Sequence, residues 1–109
     1  MSDEYRFQID LEKELPRFSA WIGILKDDTF RLETCEWDSE IYGDHATFYD
    51  VLAKDKPELL KALSNHVGRD IVNDEELVST LASTFRHEGA ILDWLRQVGI
   101  PLKERWAYV

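Results

Sequence analysis

The chain has little of what usually announces a chemistry. Cys35 is its one cysteine, which excludes an internal disulfide and any zinc site built on paired thiolates, and a lone thiol suits a reducing compartment. Its five glycines, Gly23, Gly43, Gly68, Gly89 and Gly99, are scattered singly, so no glycine-rich phosphate cradle is present. No apolar run approaches the ~18 residues a membrane span needs, and Met1-Ser2-Asp3-Glu4 lacks the basic and apolar regions of a secretory signal. These absences lead us to expect a cytoplasmic protein that does not enter a membrane. Positive charge is scarce as well: 13 Lys and Arg face 22 Asp and Glu, giving −9. That balance disfavours direct nucleic-acid binding, which rests on basic side chains displacing counterions from phosphates, and it repels anionic lipid.

Catalytic and metal patterns are also missing. His45, His66 and His87 lack the spacing that puts two imidazoles on one helix face, and none stands in a nucleophile motif with Cys35 or a serine. Residues 38–49 begin like a calcium loop, with Asp38, Glu40 and Gly43. They then place Tyr42 at the fifth position and Tyr49 at the twelfth, where oxygen ligands are required. We expect no enzyme activity, no cofactor and no metal.

What the chain does hold is enough apolar material for a core. Hydrophobic residues make up 44%, with four Trp, four Tyr and five Phe, so low-hydrophobicity disorder is not expected despite the charge. At 109 residues, one domain spanning 1–109 should bury roughly 65% of the surface its unfolded chain exposes.

Tyr5, Phe7, Ile9 and Leu11 alternate with Arg6, Gln8 and Asp10, the period of a strand with one buried face. Phe18 to Leu25 is apolar and β-branched enough for a second strand, with a short helix as the competing assignment. After the polar turn Lys26-Asp27-Asp28-Thr29, residues Phe30 to Trp37 read as a third, whose apolar side shifts from Phe30 and Leu32 to Cys35 and Trp37, which fits a bulge near Thr34 or Trp37 facing outward. Beyond Gly43 the period changes. Asp44 can cap a short helix over His45 to Ala53; Asp55 and Pro57 open another that Gly68 ends; and Asn73 with Glu76 opens a third whose inner face is Leu77, Val78, Leu81, Ala82 and Phe85. A last helix follows Gly89, with Ile91, Leu92, Leu95 and Val98 inward. Lys103 to Val109 adds a short strand or lies on the core through Trp106 and Tyr108. The expected fold is α+β: an N-terminal three-stranded antiparallel meander, then three or four helices packed on one face. The last two helices have the apolar spacing of a helix-turn-helix unit, but exposed Asp93, Arg96 and Gln97 are a poor reading surface, so an ordinary helical hairpin is expected.

The most informative stretch lies between Leu32 and Ala53. It holds six acids (Glu33, Glu36, Asp38, Glu40, Asp44 and Asp50), four aromatics (Trp37, Tyr42, Phe48 and Tyr49) and no Lys or Arg. A single-signed stretch of this kind offers a basic partner electrostatic steering, and its large amphipathic rings offer contact area. We therefore expect a small acidic binder that inhibits a basic protein, in the manner of an immunity or anti-defence protein acting on a nuclease or another nucleic-acid-handling enzyme. Glu33, Glu36, Asp38, Glu40 and Asp44 would stand in for phosphates, with Trp37 and Tyr42 as anchors. The alternative is a regulatory or structural interaction module, homodimerisation included, that uses an apolar helix face and the C-terminal aromatics.

Overall fold

The computed structural model describes residues 4–13, 16–36 and 45–108. Five strands, β1 (Tyr5–Asp10), β2 (Phe18–Leu25), β3 (Phe30–Glu36), β4 (His45–Val51) and β5 (Lys103–Tyr108), form one antiparallel sheet in the order β1-β2-β3-β4-β5. Helices α1 (Lys56–Val67), α2 (Asp74–Phe85) and α3 (Glu88–Gln97) lie between β4 and β5 in sequence, α1 being preceded by a 3₁₀ turn over Ala53–Asp55. The class is the expected α+β and the three helices fall within expectation, but the sheet has five strands where three, or four with a C-terminal one, were expected.

The period-two rule separates the faces. Ile22 and Ile24 of β2, Phe30 and Leu32 of β3 and Val51 of β4 meet Leu59 and Leu63 of α1, Leu77, Val78 and Leu81 of α2, and Ile91 and Leu95 of α3, and these twelve side chains are wholly buried. The opposite face carries Trp21, Gly23, Arg31, Glu33, Cys35, Phe48, Asp50, Lys103 and Arg105. Among the described residues no helix is long and apolar enough to cross a membrane.

Three expectations need correction. His45 to Ala53 is not a helix: through Val51 it is β4, paired along its whole length with β3 on one side and from His45 to Asp50 with β5 on the other. Thr47, Phe48, Tyr49 and Val51 are β-branched or aromatic, types that suit a pleated surface, and two ladders of hydrogen bonds outweigh one capping Asp. The bulge that was one of two expectations near Thr34 is absent, since β3 pairs in step with both neighbours; the other, Trp37 facing outward, lies outside the described residues. A bulge sits instead in β1, where Tyr5 pairs with Leu25 and Phe7 with Ile24. This extra residue turns Tyr5 away from Phe7, Ile9 and Leu11 and onto the opposite face. Gly89 lies inside α3, and the break falls at Arg86 with φ of 65°. Val98, expected inward, is exposed, while Trp94 is buried.

The helix ends follow the sequence signals. Gly68 takes the left-handed conformation (φ 74°) and donates to Ser64 O, closing α1. Asn73 accepts the Glu76 N–H at 2.8 Å, and Glu76 reaches back to the Val72 N–H at 3.2 Å, a capping box displaced by one residue. The α2–α3 hairpin packs on the sheet through Leu81, Leu92 and Leu95, and Asp93, Arg96 and Gln97 stay outside.

Candidate functional site

The acidic stretch begins on β3, whose alternation sends Glu33 and Glu36 to opposite faces. Glu33 lies on the face away from the helices, between Trp21 of β2 and Phe48 of β4. Its Oε1 accepts the Tyr5 hydroxyl at 2.7 Å, a bond that the β1 bulge makes reachable. Burial first, then this bond and the carboxylate's charge, push the Tyr5 phenol well above its ordinary pKa. The Trp21 indole N–H, close to the same phenol, is enclosed and makes no hydrogen bond among the described residues. Glu33 is therefore tied into the sheet.

Glu36, by contrast, ends β3 exposed. It pairs with His45, the first residue of β4, whose Nε2 lies 3.4 Å from Glu36 Oε2. Trp37, Asp38, Glu40, Tyr42 and Asp44, the other residues expected at the site, lie outside the described residues; they belong to the stretch that joins these two paired strand ends.

Asp50 counts as an acid in the sequence but not on the surface. Arg31, only 7% exposed at its side chain, donates to it through Nε at 2.7 Å and Nη2 at 2.9 Å, and to Glu4 through Nη1 at 2.7 Å. The Asp50 hydrogen bonds hold the guanidinium more firmly protonated than usual, against the opposing pull of burial. Phe48 lies between two cations, Arg31 at 4.7 Å and Arg105 at 4.5 Å from its ring centroid. Here the sheet face is an internally matched network of charge and ring, not a free acidic surface.

The aromatic that the acidic stretch does gain comes from the other end of the chain. Trp106 of β5 pairs with Thr47, stacks obliquely on His45 at 5.4 Å between centroids, and remains 45% exposed. Of the two expectations for this segment, a short strand or a place on the core, the strand holds, and Trp106 stands beside His45, whose imidazole in turn meets Glu36. Only the adjacency of β4 and β5 brings these residues together. Their separation in sequence gives no local signal, beyond the alternation in Lys103-Glu104-Arg105-Trp106 that puts Trp106 on the side of Glu104.

Among the described residues no group of three His, Cys, Asp or Glu side chains is placed to hold a metal ion. Cys35 is buried on the face away from the helices. No protein-family model, no curated protein and no solved structure matches this chain. The case for a function rests on its own residues.

Proposed function

We propose that this chain is an acidic binding domain that captures a basic protein at the β3–β4 end of its sheet and occludes that partner's positively charged site. The partner class is a nuclease or another enzyme that handles nucleic acid. The observation that carries the reading is the grouping of exposed Glu36, His45 and half-exposed Trp106 where the stretch bearing Trp37, Asp38, Glu40, Tyr42 and Asp44 joins the sheet. Charge of one sign steers the encounter, and a desolvated ring slows escape. Glu33, bonded to Tyr5, serves the fold and contributes only field.

The competing reading, an interaction module using an apolar helix face, draws less support. The large apolar side chains most exposed among the described residues are Val72, Val98 and Trp106, which lie on three separate parts of the chain and make no stripe.

Affinity capture from lysate of the source cell, washed in parallel at low and high salt, tests the proposal. A basic protein should be recovered at low salt and lost at high salt. Alanine at Glu36, Asp38 and Glu40 together should slow its association about tenfold while the circular dichroism spectrum is unchanged. Trp106→Ala should mainly speed dissociation. A partner that survives high salt and binds the triple variant at the same rate would remove charge capture from consideration.

A further inference from the structure

The other edge of the sheet carries a second surface. Among the described residues β1 has β2 on one side and no strand on the other. Leu11 N donates to Ala20 O at 2.9 Å, so in an antiparallel ladder Phe7, Ile9 and Leu11 turn their backbone groups toward β2, and Gln8 and Asp10 turn theirs outward. Glu12 continues the alternation: its outward N–H is met by Arg86 O at 3.1 Å. The Tyr5 bulge closes the window at its other end. The outward amide and carbonyl groups of Gln8 and Asp10 have no partner among the described residues.

Beneath this edge runs a cleft of about 530 Å³ between β1 and α2, floored by half-buried Phe7 and Ile9 and walled by Asn73, Glu75, Glu76 and Ser79. At one end Arg6 and Lys56 are already matched by Asp28 and Asp74 (Arg6 at 2.9 and 2.7 Å, Lys56 to Asp74 at 3.0 Å). Exposed Glu75 has no cation on it among the described residues. On the sheet's opposite face Asp10 stands beside Trp21 at the rim of a smaller hollow.

We infer that the β1 edge is a docking site for an extended segment of a basic protein, added as a sixth strand, with neighbouring Lys or Arg side chains, which a strand sends to opposite faces, divided between Glu75 on the helix side and Asp10 on the other. Strand addition supplies backbone hydrogen bonds, and pockets for alternate side chains supply selectivity. The methylene stems of Lys and Arg suit the Phe7 and Ile9 floor, leaving the charged heads at the acidic rim. A second copy of this chain is a poor occupant. Pairing β1 with β1 about a two-fold axis would bring two acidic α2 walls to one seam. This site is separate from the Glu36 and Trp106 end, and neither depends on the other.

The test is titration with a synthetic capped peptide in which adjacent pairs of Arg alternate with adjacent pairs of Val, so that each pair presents one Arg to each face, followed by amide NMR. The Gln8 and Asp10 amides should shift and gain protection from hydrogen exchange. A D10R/E75R double variant should weaken binding about tenfold. Neither carboxylate takes part in a hydrogen bond or ion pair among the described residues, so the variant should fold. The E36A/D38A/E40A triple variant should bind as well as the parent. A peptide N-methylated on its edge-facing residues leaves the protein untouched and should lose binding. Equal binding of the methylated peptide, shifts confined to the Glu36 end, or no binding at all would each overturn the inference.

Discussion

At the scale of single residues, Tyr5 and Glu33 show how far a local pattern can mislead. Alternation assigns Tyr5 to the core face with Phe7; one inserted residue reverses it and gives Glu33 its donor. The consequence is a pH dependence with a definite sign. Burial, reinforced by Glu33, raises the phenol's pKa in the fold, while in the unfolded chain it stays near the ordinary ~10. The stabilising share is therefore complete below about pH 10 and declines as pH rises beyond it, because only the unfolded chain then releases the proton. Tyr5→Phe should lower the free energy of unfolding by ~1–2 kcal/mol at neutral pH, since it leaves a half-buried carboxylate short of a donor. It should also flatten the alkaline decline, though not abolish it, because burial raises the Tyr49 phenol in the same direction. Urea unfolding at neutral and alkaline pH measures both. A phenylalanine variant with the parent's stability and the parent's slope would mean that water satisfies Glu33 equally well.

At the scale of elements, much was legible and the exceptions have causes. β1 to β3 followed from alternation and a polar turn, and α1 and α2 from Pro57, Gly68 and the Asn73–Glu76 cap, because each signal acts within a few residues. β4 was not legible, since its strand state depends on ladders to β3 and to β5, the latter beginning fifty-two residues beyond Val51 at Lys103. The candidate site divided in the same way. That Glu33 and Glu36 face apart was readable from the strand period; that Arg31 neutralises Asp50, or that Trp106 packs on His45, was not. Gly23 offers a test of the β1–β2 pairing. A Cβ there would lie 2.4 Å from Phe7 O and 2.8 Å from Tyr5 Cδ1, so the bulged strand closes over a position with no room for a side chain. Gly23→Ala should cost ~1–3 kcal/mol, as overpacking does, and the β1 amides should lose hydrogen-exchange protection before those of β3. An alanine variant of unchanged stability would show that β1 shifts freely, and would weaken any role for its outer edge.

At the scale of the whole molecule, a net charge of −9 acts on stability and on binding with opposite salt dependence. Repulsion among surplus carboxylates opposes compaction, and salt screens it. Salt also screens favourable pairs, so the question is which loss is larger. Arg86–Glu12 is 3.8 Å apart with both side chains more than half exposed, and Arg6–Asp28 is similarly open; such pairs contribute little. Arg31–Asp50, at 7% and 19% exposure, is sheltered from the ions. Repulsion should therefore dominate, and raising sodium chloride from a few millimolar to about 0.15 M should increase Tm by ~2–5 °C. Chloride is the right salt, because sulfate would stabilise by exclusion from the surface whatever the charge balance. A falling Tm would mean that the exposed pairs outweigh the surplus. The rise also gives the capture experiment its meaning: a partner lost at high salt would be leaving a binder made more stable, so its release would report screening of the contact between them and not unfolding of this chain.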